Sequence, residues 1–323
     1  MDKASFSGSK HFVIHNLADG VFAAIASNGS WAICNAGLIN LGGQLLVFDT
    51  FVTPQAAQDL KQFAFDYFGR SPQLVINSHY HNDHIWGNQV FAPDAPILSN
   101  IRTRELILTA GREELDWNVA NAETRLASLR VKFANTNDPR QRQELSLWIG
   151  EYEGIAAALP VLNVCAPGIT FDGRLELFGA KSGCELLTYT GGHTACDTIL
   201  YLPQEGIVFT ADLLFVGCHP YLADGDPEDL LAALREISRL DARYFVPGHG
   251  PVGTGEDVKL LIAYIEDCLE VASRLVKGGS ADEDAITALV VPAPFQSWQL
   301  SQFYQTNLRF LCQRLVSAHS TTG

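Results

Sequence analysis

Six consecutive residues, His79-Tyr80-His81-Asn82-Asp83-His84, set three of the chain's nine histidines beside an aspartate. His79 and His81 stand two apart at the end of an apolar run, QLVINSHYH, that reads as a buried strand, and alternate strand residues share a face. Asn82-Asp83-His84 reads as a turn that swings Asp83 and His84 toward the same spot. Imidazole nitrogen and carboxylate oxygen are usual zinc donors, and manganese, iron and cobalt accept the same set. Four donors within six residues exceed what one catalytic zinc usually takes, and one tight turn does not wrap them all around a single ion. Two divalent cations are therefore expected, zinc first among them.

The remaining donors must then arrive from elsewhere, at strand ends or in turns that glycine permits. Three positions fit: His193 in TGGHT, Asp212 in FTAD and His249 in PGHG. A lone loop histidine is usually a bystander, and His11, His15, His219 and His319 are read that way. The four sites together are not so easily dismissed.

Elements able to position such a cluster follow in order. From Phe12 to Thr50 short apolar runs alternate with turn residues, with Gly42-Gly43 as a hairpin turn. Thr53 to Phe68 carries Leu60, Phe63, Phe65, Tyr67 and Phe68 at helical spacing and leads into the histidine-bearing run. Between residues 100 and 159, Val119, Ala122, Leu126, Leu129 and Phe133 predict one helix. Leu145, Trp148, Tyr152 and Ile155, after Asp138-Pro139 as N-cap and first residue, predict a second. This hairpin either covers the sheet or walls a substrate cleft. Strands return over 168–202 and in GIVFTADLLF, helices are expected over 227–240 and 255–276, and an aromatic tail, 295–316, is again helical. In that tail Trp298, Phe303 and Tyr304 suit a core or a homodimer contact equally.

Composition removes several functions. The net charge of -14 and the lack of a basic run argue against nucleic acid. No stretch approaches the roughly eighteen apolar residues of a membrane span. Seven scattered cysteines without a C-x-x-C pair suggest neither disulfides nor a thiolate zinc site. Met1 to Lys10 lacks an apolar export segment, so the cytoplasm is the expected compartment and a small molecule the expected substrate.

HYHNDH resembles the H-x-H-x-D-H motif of the metallo-β-lactamase superfamily, and TGGHT, FTAD and VPGHGPV resemble its later motifs in the same order, over roughly 12–269. The resemblance implies an α/β fold, the four-layer αββα sandwich with the site at one edge. The chain is then one domain, 1–323, with a helical insertion at about 100–159 and a helical C-terminal extension at about 281–323. It also implies that His79, His81 and His193 bind one metal, that Asp83, His84 and His249 bind the other, and that Asp212 bridges them. The superfamily's true β-lactamases generally lack that bridge. Its lactonases, glyoxalase II-like thioesterases and phosphodiesterases have it.

The expected function is thus a binuclear hydrolase whose metal-held hydroxide opens a lactone or other small carboxylic ester. Asp83 or a metal-bound water supplies the leaving group's proton. In VGCHPYLADGD, His219 or Tyr221 is a candidate oxyanion donor, although a capped loop leading into the helix at Pro227 is the stronger reading. Asp197 either orients a ligand histidine or caps its own turn. A thioesterase and a β-lactam hydrolase stand as alternatives. From other classes come a mononuclear iron persulfide dioxygenase and a non-catalytic metal-binding protein.

Overall fold

A computed structural model describes residues 8–320, with side chains described as far as Ser317. Most of the segment read for an export signal, residues 1–7, and the His319 side chain lie outside the described residues. The first sheet opens antiparallel with β1 (Phe12–Ala18), β2 (Val21–Ala26), β3 (Ala36–Asn40) and β4 (Leu45–Phe48), the last two joined through Gly42-Gly43 as expected. Next comes α1 (Pro54–Phe68), where Thr53 Oγ1 accepts the Ala56 N–H at 3.1 Å and Pro54 fills the first helical position. Its inner stripe is Ala56, Ala57, Leu60, Phe63 and Ala64, while Phe65 faces out.

β5 (Leu74–Ile76) adds parallel to β4, followed by two one-turn helices, α2 (Asn82–Ile85) and α3 (Asn88–Phe91), and by β6 (Ile97–Asn100). The strand expected to reach the histidines stops at Ile76. Asn77 and Asn88 exchange side-chain amide hydrogen bonds of 3.0 and 2.8 Å, and Ser78 turns onto Asp49, so His79 and His81 sit in the loop beyond the strand. The insertion then runs through α4 (Ile101–Leu108), α5 (Ala110–Asn135) and α6 (Pro139–Ala158) before β7 (Ile169–Phe171) closes the sheet. As predicted, Asp138 caps α6, its Oδ1 2.8 Å from the Gln141 N–H. Ala122, Leu126 and Leu129 of α5 bury against Leu145, Tyr152 and Ile155 of α6, whereas Val119 is exposed.

The second sheet holds β8 (Arg174–Phe178), β9 (Gly183–Tyr189), β10 (Asp197–Leu202), β11 (Ile207–Phe215) and β12 (Tyr244–His249), in the order β12-β11-β10-β9-β8. All pairs are antiparallel except β11 and β12, which α7 (Pro227–Ile237) connects. Outside lie α8 (Gly255–Lys277), the short α9 (Glu283–Thr287) and α10 (Gln302–Ser320).

Three apolar layers hold these sheets together. Ile39, Leu46, Phe48 and Ile76 of the first sheet meet Leu186, Leu200, Phe209 and Val246 of the second. α1 covers the outer face of the first sheet, and α7, α8 and α10 cover that of the second. Each fully buried leucine or phenylalanine contributes on the order of 2 kcal/mol, so these layers fix the sandwich. The result is the αββα arrangement implied by the motifs. The tail helix begins only at Gln302, because Leu300 takes a left-handed φ of 60° that a helix does not pass through. Trp298 and Tyr304 are buried within their own chain, the core role expected for them, while Phe303 is half-buried against Trp148. No described helix is long and apolar enough to cross a membrane.

Candidate metal centre

Five backbone segments deliver seven side chains to one end of the sandwich. The loop after β5 carries His79 and His81, and His81 is also the N-cap of α2, whose single turn presents Asp83 and His84. His193 follows Gly191, whose φ of 81° makes the turn after β9. Asp212 sits where β11 bulges, beside Ala211 at a φ of 46°. His249 ends β12. Left-handed backbone at a non-glycine residue costs about 1–2 kcal/mol and persists only where surroundings enforce it. Besides Ala211, it occurs at Asp49, with a φ of 62°.

The donors converge as two groups that share one carboxylate. His79, His81, His193 and Asp212 bring ligand atoms within 4.8 Å of one another, and so do His84, Asp212 and His249. His81 Nδ1 faces His79 Nε2 and His193 Nε2, each at 3.0 Å. Asp212 Oδ1 lies 3.1 Å from His84 Nε2, and its Oδ2 lies 3.3 Å from His193 Nε2 and 3.2 Å from His249 Nε2. Asp83 Oδ2 stands 3.4 Å from His249 Nε2 and 3.7 Å from His84 Nε2, next to the second group.

These residues fit divalent cations. His84 Nε2 and Asp212 Oδ1 are buried and, though near each other, not aligned for a hydrogen bond, so neither has a partner. Each such orphan costs about 1–3 kcal/mol, which a bound cation would remove. Burial, reinforced by neighbouring imidazoles, holds His79 well below the ordinary histidine range and His193 at about 4, so both keep a free lone pair. Burial alone would raise Asp212, but the His249, His84 and His193 rings hold it well below the usual carboxylate range, ionised. Cys34 is adjacent but donates its thiol to the Asp83 carbonyl at 2.8 Å, and burial pushes it up to about 12, so it stays protonated and braces the turn.

The residues that aim the donors escaped the sequence reading. Asp49, at the end of β4, accepts from the Ser78 amide at 2.8 Å and hydroxyl at 2.7 Å and holds His84 Nδ1 at 2.8 Å, leaving Nε2 for the centre. Asp224 accepts from the Tyr80 hydroxyl and lies 2.9 Å from His81 Nε2, leaving Nδ1 inward. Asn35 ties the β12 turn to the first sheet through the Pro247 and Gly250 carbonyls, both at 2.9 Å. Asp197 does the simpler of its two expected jobs, binding the Thr194 amide and hydroxyl and so capping its own turn. Replacing Asp224 by asparagine is expected to weaken zinc retention about 10–100-fold, as loss of such partners does elsewhere. Chelator competition measures this, and an unchanged zinc affinity would show that Asp224 does not orient His81.

A cavity of about 920 Å³ opens over the cluster, with His81, Asp83, His193, Asp212 and His249 on its floor. α5 and α6 supply one wall, through Trp117, Trp148 and Tyr152 among others, so the insertion lines the site, and its apolar side packs on Val52, Tyr80, Ile85 and Trp86 around the donor segment. Tyr221 lies on the lining against Phe303. His219 does not. Its ring is fully buried among Tyr264, Trp298 and Tyr304, and its Nδ1 meets the Tyr264 hydroxyl at 3.0 Å, so it has no route to a substrate oxygen.

Residues 29–249 match the model of the metallo-beta-lactamase superfamily. The 2,4-dinitroanisole O-demethylase subunit alpha of Nocardioides sp. (strain JS1661) is 25% identical over 240 residues, which cover 73% of this chain and 55% of that protein. The chain thus spans about half the length of that curated relative. Among solved structures, a metallo-beta-lactamase from Pontibacter korlensis superposes with a TM-score of 0.57 at 16% identity, over 79% of this chain and 99% of the other. The stereoselective inverting sec-alkylsulfatase Pisa1 from Pseudomonas sp. superposes at 0.65 and 16% identity, over 94% of this chain and 50% of the other. At such identities the likeness is one of fold.

Proposed function

Because the chain belongs to the metallo-beta-lactamase superfamily, we propose that it is a metal-dependent hydrolase that opens a lactone or other small carboxylic ester at a pair of divalent cations, zinc by preference. One observation carries this reading: Asp212 is shared between two donor groups on the floor of a cavity large enough for a small molecule. His79, His81 and His193 would hold one cation, and Asp83, His84 and His249 the other. Bound there, the cations supply an activated water and polarise the substrate carbonyl.

The chain's own residues do the rest. Asp212 neutralises part of the charge and sets the spacing of the two groups. Asp83 faces the cavity and is placed to pass a proton to the leaving oxygen. Tyr221, also on the lining, is our candidate donor to the developing oxyanion, since His219 is withdrawn from the cavity. α5 and α6 exclude water from one side.

The relatives' names raise a second reading, cleavage of an aryl ether or a sulfate ester. Against a sulfate stands the cavity wall, where Arg125 is the sole lysine or arginine among the described lining residues. Proton release in a pH-stat covers all these chemistries. The zinc-loaded protein would be given lactones, simple esters, thioesters, β-lactams, 2,4-dinitroanisole and a secondary alkyl sulfate. Turnover of a lactone or ester is expected. Turnover confined to the ether or the sulfate would replace the acyl reading, and a single bound iron with oxygen consumption would replace hydrolysis altogether.

A further inference from the structure

The wall that the insertion gives the cavity is not wholly apolar. Glu114 of α5 and Glu151 of α6 both lie on the lining, beside Trp117 and Trp148. Glu114 Oε2 and Trp148 Nε1 are buried without hydrogen-bond partners. Glu151 sits within electrostatic reach of Asp83, Glu114 and His249 on the cluster side and of Arg125, which also lies on the lining. Arg125 itself is exposed. Burial pushes Glu151 up to about 8, with Asp83 adding to it, and holds Glu114 at about 7, so near neutral pH each is largely uncharged until a cation beside it draws it to the ionised form. Both carboxyls are half-buried, Glu114 accepts the Asn82 amide, and the arginine near Glu151 is exposed, so a ligand's positive charge at this wall would be stabilised.

We propose that Glu114 and Glu151, with the neighbouring indoles, form a recognition subsite for a cationic group on the substrate, a protonated amine or a quaternary ammonium, while the scissile acyl group lies over the donor cluster. The inference rests on the acyl-hydrolase reading and narrows it. A cation at the wall pairs both carboxyls and finds aromatic rings, the environment in which ammonium groups are held elsewhere. A substrate carboxylate or sulfate there would face two acids instead. The net charge of -14 further favours the approach of cations. The carbonyl end needs no charge of its own, since the donor cluster draws it.

The test uses three esters with one acyl group and isosteric alcohol parts: one ending in trimethylammonium, one in the uncharged tert-butyl analogue and one in carboxylate. With the zinc-loaded full chain, kcat/KM is expected to fall in that order, the cation exceeding the neutral analogue by about tenfold or more, the yield of one paired charge. Glu151→Gln combined with Glu114→Gln should bring that ratio to about one. Added salt should lower the wild-type ratio, a check that needs no variant to fold. Equal rates for the three esters, or a preference for the anion, would overturn the subsite and leave the hydrolase standing. Separately, the cationic alcohol alone is titrated calorimetrically onto wild type and the double variant. Binding to wild type that the variant loses, with no ester turned over, would sustain the subsite and remove the acyl-hydrolase reading. Equal binding to both proteins would overturn the subsite.

Discussion

Asp212→Ala is expected to abolish measurable turnover and to leave the protein unable to retain two zinc ions after dialysis. The aspartate is the one side chain common to both donor groups, with one oxygen 3.1 Å from His84 and the other within 3.3 Å of His193 and His249. Alanine removes a donor from each group at once and also the negative charge that would offset two dications. The loss in kcat/KM should exceed the roughly 10–100-fold that follows removal of an outer partner such as Asp224. Elemental analysis and the pH-stat read the two effects separately. Asp212→Asn keeps the shape without the charge and should fall between wild type and alanine. A variant that keeps both zinc ions and full turnover would show that Asp212 neither bridges nor organises the centre.

How much of this centre can be read from sequence depends on where a residue's instructions lie. His79, His81, Asp83 and His84 sit inside six residues, and TGGH, TAD and PGHG each pair a donor with the small residues that make its turn, so local spacing reveals them. Asp224 is 143 residues from the histidine it steers, and nothing near it marks that partnership. Asp49 looks like the end of a strand; its function arises from a φ of 62° that turns its carboxylate under the loop after β5. His219 errs in the opposite direction. Its type and its place after Asp212 suit an oxyanion donor, but the chain there pairs its backbone with Gln299, a hydrogen bond of 2.9 Å, and buries the ring against α8. The same limit applies to the insertion. Its two helices are evident from apolar spacing, but which face meets a cavity is decided by packing against the rest of the fold, and that face sets Glu114 and Glu151 among Trp117, Trp148 and Tyr152.

Gly248→Ala is expected to cost nearly as much as losing a ligand, although it removes no donor atom. A β-carbon at residue 248 would lie 1.7 Å from Asp212 Oδ1 and 2.9 Å from the Ala211 carbonyl carbon, well inside contact distance. The backbone there does not need glycine's left-handed freedom, so the conflict is purely one of space. β12 cannot easily back away, because the Asn35 amide grips the Gly248 carbonyl at 2.7 Å and the Asn35 side chain holds the carbonyls on either side. The carboxylate must therefore swing out of both donor groups. Overpacking of this kind typically costs about 1–3 kcal/mol in fold stability, which the variant should survive. The sharper consequence concerns zinc. A ligand that binds only the folded state raises the melting temperature with its concentration, so wild type should gain stability on zinc addition and Gly248→Ala should gain far less. Gly255→Ala is the control, since a β-carbon there meets nothing within 4 Å. If Gly248→Ala keeps the full zinc-dependent rise while Asp212→Ala loses it, the aspartate tolerates displacement, and the tight approach of β12 serves packing alone. If both lose it, the glycine of the PGHG turn is there to leave room for the carboxylate on the next strand.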